Sequence, residues 1–223
     1  MQFYRTWLLE LAGQFMLEDG SEDAAHDYDH LVRVIALADK IQASEGGNLP
    51  TIWAAVALHD IGQERERRDG GDHALIGATL AAVLLKDTSF PQEYIPAVQQ
   101  AIQEHRMTRG IIPKTLEGRI LYDADKLDCL GAIGIGRLYC ITGRYNQKVY
   151  APIPEDFAEP IDPQTIRNLR RRPDYSPYIE FQLLFGNLPD RMTTKTGREL
   201  AHERFAYMQE FFTRLRREAE GEL

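Results

Sequence analysis

The chain has 223 residues, 43% hydrophobic and 27% charged, with a net charge of −8 and an isoelectric point near 5.3. That length suits one globular domain with a sizeable core, and the acidic balance argues against a general nucleic-acid or acidic-membrane surface while leaving room for a local basic pocket for phosphates. No run approaches the ~18–20 apolar residues of a membrane span, and Arg5 and Glu10 interrupt an apolar start too short for a signal peptide, so a cytoplasmic protein that engages neither membrane nor nucleic acid is expected.

Segments with a period near 3.6 dominate and none alternates as a strand does, so the expected fold class is all-α, a single-domain helical bundle over residues 1–223. An opening helix is predicted from Phe3 to about Met16 with Trp7, Leu8, Leu11 and Phe15 inward, ended by the turn-rich residues 18–23. A second, from about Asp29 to Ser44, carries the stripe Leu31, Val34, Ile35, Ala38, Ile41, with His30 and Arg33 flanking it. After Gly46-Gly47, Pro50 fits a first helical turn, and Ile52 to Leu58 is apolar all the way round before the run stops on His59-Asp60-Ile61-Gly62. A carboxylate at the C-terminal end of a buried helix meets the negative end of the macrodipole and loses its water, so Asp60 needs a positive partner. A divalent metal bound by His59 and Asp60 supplies one; a helix that merely surfaces at Asp60, with His59 hydrogen-bonded in the core, is the structural alternative.

Gln63 to Asp72 is predicted as a polar loop. Asp72 then caps a helix through Leu85 with Leu75, Ile76, Thr79, Leu80 and Val83 packing inward. Pro91 opens a helix whose stripe Tyr94, Ile95, Val98, Ile102 places His105 one turn on, on the same side. A helix resumes near Leu116 and reaches the polar cluster Asp123-Ala124-Asp125-Lys126-Leu127-Asp128, followed at helical spacing by Gly131, Gly134 and Gly136. Each glycine costs roughly 1 kcal/mol relative to alanine, which implies close approach of a backbone or a ligand. Tyr145 to Pro177, rich in Pro and Tyr, reads as an irregular excursion with short helices, and a closing helix from about Lys195 to Arg217 presents Ala201, Phe205, Met208, Phe212 and Leu215. Cys129 and Cys140 fall on segments read as helical, outside any Cys-x-x-Cys pair, and are expected to be reduced.

Three helices thus bring potential metal ligands: His30, the His59-Asp60 pair, and an aspartate of the 123–128 cluster. Imidazole with carboxylate suits Mn²⁺, Fe²⁺, Co²⁺, Ni²⁺, Mg²⁺ or Zn²⁺, and the lack of thiolates argues against a structural zinc knot. His26-Asp27-Tyr28-Asp29-His30-Leu31-Val32-Arg33-Val34, then His59-Asp60-Ile61-Gly62, then Asp123 to Gly134 with Ala124-Asp125-Lys126-Leu127 at its centre, resemble the H…HD…D signature of the HD-domain metal-dependent phosphohydrolases, in particular the compact YpgQ/YedJ-like branch. The resemblance spans about His26 to Tyr139 and implies a metal-site core over about 26–139 with a C-terminal helical extension over about 145–223.

Carried over by position, the resemblance implies one divalent ion, Mn²⁺ first among those above, on His30, His59, Asp60 and Asp125. A helical wheel places Asp123 nearer the apolar side, whereas the motif selects Asp125. Lys126 aligns with a phosphate-contacting lysine, Arg137 is a second cation within reach, and His26 orients His30 or meets substrate. The implied chemistry is metal-assisted hydrolysis of a phosphoester or phosphoanhydride, with nucleoside triphosphates cut to monophosphate and pyrophosphate. Where the superfamily often continues HD-x-x with Lys or Glu, this chain has Gln63 and then Glu64, which is either a general base or a solvated residue. His73 and His105 either assist the attacking water, protonate a leaving oxygen or hold substrate, or are satisfied core histidines. His202 reads as surface, and Arg170-Arg171-Arg172 as a solvated face or, from a covering loop, a contact to phosphates. Two further readings are a dinuclear phosphodiesterase that recruits His73 and His105 as ligands and a catalytically idle nucleotide sensor.

Overall fold

The computed structural model describes residues 2–19, 28–106, 112–154 and 172–223, and among these every regular element is helical, the class expected from the periodicity. The chain gathers into two units, residues 1–128 with 192–197 and residues 129–191 with 198–223. His26, Arg170 and Arg171 lie outside the described residues.

The first unit is built around α3 (Leu49–Leu58). Asn48 caps it, its Oδ1 accepting from Thr51 N at 3.0 Å, with Pro50 in the first turn, and Thr51 to Leu58 are all buried. Helices α1 (Gln2–Asp19), α2 (Tyr28–Glu45), α5 (His73–Lys86), α6 (Ile95–Glu104) and α7 (Leu116–Leu127) pack against it. This arrangement is what a helix apolar on every side demands, since each fully buried Leu, Ile or Val contributes about 1.5–3 kcal/mol. On α2 the predicted stripe Leu31, Val34, Ile35, Ala38, Ile41 is buried, with His30 beside it. On α1 the buried residues are Leu8, Leu9, Ala12 and Met16, a face turned slightly from the predicted one, and Trp7 covers the rim edge-on to Tyr4 at 5.6 Å. Ile95, Val98, Ala101, Ile102 and His105 form the buried side of α6 and its end.

Two expectations fail around α4 and α5. The predicted polar loop is largely a helix, α4 (Gln63–Asp69), in which no residue is fully buried. Hydrophobic periodicity cannot reveal such an element. Its order comes from Glu64 and Glu66 in the first turn, Arg67 and Arg68 in the last, and Gly70 with φ 79° at its end. On α5 the inward residues are Ala74, Gly77, Ala78, Ala81 and Leu85, while Leu75 is 44% and Val83 61% exposed. The small face wins because backbone meets backbone there: a Cβ on Gly62 would lie 2.3 Å from His73 O, and one on Gly77 would lie 3.2 Å from His59 O. The larger side chains cannot enter that contact.

In the second unit, α8 (Gly131–Arg144) follows a turn holding Cys129, and both cysteines are free thiols. The expected close approach is met at Gly134, where a Cβ would lie 2.0 Å from Cys129 O, and at Gly131 (φ 73°) against Arg204, whereas nothing lies within 4 Å of such an atom on Gly136. The closing helix Lys195–Ala219 buries Ala201, Met208 and Phe212, with Phe181 stacked on Phe212 at 4.6 Å and on Phe205 at 5.3 Å. No helix among the described residues is long and apolar enough to cross a membrane.

Candidate metal centre

Five segments of the first unit deliver polar side chains to one place. α2 brings His30, the C-terminal end of α3 brings His59 and Asp60, the first residue of α5 is His73, the end of α6 is His105, and the last turn of α7 carries Asp125. The backbone contact of Gly62 with His73 and Gly77 sets the start of α5 beside Asp60. His30 Nε2 lies 3.7 Å from Asp125 Oδ1 and 3.9 Å from Asp60 Oδ2. His59 Nε2 lies 3.8 Å from Asp125 Oδ1 and 3.2 Å from Asp60 Oδ2. On the other side of Asp60, Oδ1 is 3.7 Å from His105 Nε2 and 3.8 Å from His73 Nε2. The four imidazoles form a chain, His30 to His59 at 5.5 Å between centroids, His59 to His105 at 5.1 Å and His105 to His73 at 5.3 Å.

Each ring presents Nε2 inward because its Nδ1 is tied outward. His59 and His105 donate to the carbonyls of Val56 (2.8 Å) and Ile102 (2.6 Å). His30 Nδ1 is 2.8 Å from Asp128, a fully buried carboxylate that Arg33 grips through Nε at 2.8 Å and Nη2 at 3.1 Å. His73 Nδ1 is 2.8 Å from Glu66. Such outward partners fix the tautomer and orientation of a ligating imidazole.

The electrostatics ask for a cation. Burial would depress His59, but Asp60 and then Asp125 outweigh it and push its pKa up to about 9. Asp60 and Asp125 are held below the ordinary carboxylate range despite burial, Asp60 by His59, His105 and His73, Asp125 by Lys126, His59 and His30. His105 is lowered, chiefly by burial. His59 Nε2 is buried 3.2 Å from Asp60 Oδ2 and, among the described residues, has no partner in good hydrogen-bond geometry. A buried imidazole nitrogen aimed between two carboxylates, with no well-aligned hydrogen bond to satisfy it, is the environment a divalent ion completes. Donor atoms around one ion at about 2.0–2.2 Å sit about 3–4 Å from one another, the spacing seen here. His30, His59 and Asp125 form one set of suitably close donors, and His59, Asp60 and His105 a second.

Asp123 is turned the other way. Its carboxylate accepts from the N–H and Oγ1 of both Thr193 and Thr194 at 2.6–2.9 Å. Gly197 passes so close that a Cβ there would lie 2.3 Å from Asp123 Oδ2. The apolar side of the wheel therefore led to a buried structural carboxylate, and Asp125 faces the histidines. Lys126 Nζ pairs with Asp125 Oδ2 and lies 5.6 Å from the Tyr122 ring centroid. Arg137 belongs to the second unit, where Nη1 meets Cys129 Sγ at 3.7 Å. Glu64 turns to Arg67 on its own helix at 3.4 Å. The carboxylate of α4 that reaches a histidine is Glu66, two residues on and on the opposite face. His202 is exposed, 3.5 Å from Asp190. Glu66, Arg106 and Asp128 are the site residues that sequence reasoning missed. Asp128 was marked only by the acidic position after Asp-x-Leu, and Glu66 and Arg106 by nothing.

Residues 27–130 match the HD domain model. The chain is 27% identical to YpgQ of Bacillus subtilis over 97% of its own length and 92% of that protein's. Among solved structures it is similar to a protein of Lactobacillus plantarum, with 28% identity, a TM-score of 0.75 and 99% of each chain covered. It is likewise similar to a predicted HD superfamily hydrolase from an uncultured Thermotogales bacterium, with 27% identity, a TM-score of 0.64, and 96% and 91% covered. The crystal structure of YpgQ in complex with ADP matches with 25% identity, a TM-score of 0.68, and 93% and 97% covered.

Proposed function

Residues 27–130 belong to the HD family, and from that premise we propose that the protein is a metal-dependent phosphohydrolase that cleaves nucleoside triphosphates to monophosphate and pyrophosphate. The observation that carries the reading is the convergence of His30 and His59 Nε2 on the Asp60 and Asp125 carboxylates, with His59 Nε2 buried and, among the described residues, without a well-aligned hydrogen bond. His30, His59, Asp60 and Asp125 would hold the ion, and the mixed oxygen-and-nitrogen set accepts several divalent metals, of which the resemblance to the HD phosphohydrolases favours Mn²⁺. When bound, the ion polarises phosphate oxygens and offsets the charge that develops on them. Lys126, beside Asp125, adds a cation for the phosphates. Water attacks the α-phosphorus, the bond to the bridging oxygen breaks, and His73 Nε2 accepts the proton of the water. The nucleotide is favoured as substrate because the related YpgQ has been crystallised with ADP.

The test is purified protein, stripped with a chelator, resupplied with Mn²⁺, Mg²⁺ or Zn²⁺, and offered a panel of nucleoside triphosphates. Monophosphate and pyrophosphate in equal amounts are expected by ³¹P NMR. No product from a protein that binds an ion overturns the reading.

A dinuclear centre is favoured by one specific observation: His105 and His73 present Nε2 to the second oxygen of Asp60 at 3.7 and 3.8 Å, so that Asp60 stands between two donor sets. Two metal equivalents per chain by elemental analysis would establish it, and one would exclude it.

A further inference from the structure

Of the four clustered histidines, His73 is held in the least expected way. His59 and His105 are tied by carbonyls within their own helices, and His30 by the buried Asp128. His73 is held by Glu66, from a short helix that buries no side chain completely. The second oxygen of Glu66 accepts from Arg106 Nη1 at 2.8 Å, and the same nitrogen lies 3.2 Å from Asp72 Oδ1. Asp72 is the residue before His73 and caps α5, accepting from Ala74 N at 2.9 Å, and Arg106 is the residue after His105. Arg106 therefore links the end of α6 to both the start of α5 and α4. Side chains with 16–21% exposure that gather three segments around one imidazole, on a helix that adds nothing to the core, call for a role other than packing.

We infer that Glu66 and Arg106 are positioning residues for His73, fixing its Nδ1–H tautomer so that the bare Nε2 faces Asp60 and the attacking water. The chemistry is elementary. An ionised carboxylate only accepts, so its ring partner must carry a hydrogen on Nδ1, and whenever that ring is neutral its lone pair lies on Nε2. Burial acts to raise the Glu66 pKa, but the hydrogen bond from His73 and the Arg106 contact outweigh it and hold the carboxyl below its ordinary value. Arg106 thus keeps the acceptor both ionised and immobile. This inference rests on the phosphohydrolase reading for its consequence in turnover, but not for the tautomer itself.

The test uses full-length Glu66→Gln, Glu66→Asp and wild-type protein, labelled with ¹⁵N at histidine. A glutamine can donate as well as accept, so it no longer imposes one tautomer. In metal-free wild type the His73 resonances are expected to report Nδ1–H. In Glu66→Gln they shift toward the other tautomer, while those of His59 and His105 stay fixed by their carbonyls. The same variant should lower kcat about tenfold to hundredfold with KM and metal content unchanged, and Glu66→Asp should recover part of the loss. An unchanged His73 tautomer in Glu66→Gln, or a changed tautomer with unchanged kcat, overturns the inference. Should no variant or wild type hydrolyse any phosphate substrate, the phosphohydrolase reading falls, and the tautomer measurement still decides whether Glu66 positions His73. If Glu66→Gln does not fold, Arg106→Gln leaves the carboxylate in place but unclamped: His73 is expected to keep Nδ1–H while kcat falls, and an unchanged kcat overturns the role of Arg106.

Discussion

The two sides of the candidate centre solve one problem with different materials. On the α2–α7 side, His30 is backed by Asp128, buried to 1% exposure and gripped through two nitrogens by Arg33. On the α4–α5–α6 side, His73 is backed by Glu66, which keeps 19% exposure and takes a single hydrogen bond from Arg106. Both are a histidine, a carboxylate and an arginine in series. The first is set between long helices whose inner faces are continuous core, and the second rests on a helix of seven residues held by charges and one glycine contact. A rigid backing suits a ligand that must not move, and a partly solvated one suits a group that exchanges protons with water.

The largest effect that would break this comparison is at Asp125. Asp125→Asn removes the charge that faces both His30 and His59 but retains the shape. Stoichiometric metal binding is expected to be lost, and turnover with it, by more than about a thousandfold, while the circular dichroism of the fold is kept. Retained metal binding in this variant would move the centre to the His59, Asp60, His105 set. Next is Asp128→Asn, which leaves the proposed ligand nitrogens in place and loosens only the backing of His30. Metal affinity by titration calorimetry should fall about tenfold to hundredfold, in contrast to Glu66→Gln, where it should not change. Equal losses of metal affinity in the two variants would erase the difference between the sides.

A smaller effect follows from His59, the residue between them. Its pKa of about 9, set by Asp60 and Asp125 against burial, lies above the ordinary 6.5. In the metal-free protein the ring is therefore charged at neutral pH, and an incoming cation must displace its proton. Apparent metal affinity should rise about tenfold per pH unit up to about pH 9 and then level off. Stability runs in the opposite direction. The contribution of a raised histidine is complete below about pH 6.5 and disappears as pH rises through 9, so the metal-free protein should melt lower at pH 9 than at pH 6.5. An affinity independent of pH over 6–8 would show that His59 is neutral before the metal arrives.

How much of this was legible depends on what each side is made of. The α2 stripe and the all-apolar α3 were readable because large aliphatic side chains mark their buried faces, and His30, His59 and Asp60 come with those helices. Asp125 was chosen over Asp123 only through a motif, since hydrophobic periodicity points to the buried carboxylate, and the partners of Asp123 at Thr193 and Thr194 are 70 and 71 residues away. The pairing of Glu66 with Arg106 is separated by 40 residues and carried by a helix without an apolar stripe. Periodicity registers burial, and this side of the centre is organised by charge and by backbone contact, which leave no repeating pattern.

The smallest expected effect puts that explanation to a direct test on α5. By apolar size Val83 belongs to the core and Gly77 does not, yet Val83 is 61% exposed and Gly77 is buried against the backbone of His59 and Gly62. Val83→Ala removes two methyl groups from a surface position and should change stability by no more than about 0.5 kcal/mol in denaturant melts. Gly77→Ala adds one carbon where the nearest oxygen is 3.2 Å away. It gains helix propensity of about 1 kcal/mol but must push α5 off the turn that carries Asp60, at a cost of about 1–3 kcal/mol. The net change in stability is then small or modestly unfavourable, and the sensitive readout is instead the position of His73, whose imidazole resonances should shift in Gly77→Ala and not in Val83→Ala. A Val83→Ala loss larger than that of Gly77→Ala, with His73 undisturbed in both, would return the large side chains of α5 to the core and remove the backbone contact as the reason His73 stands beside Asp60.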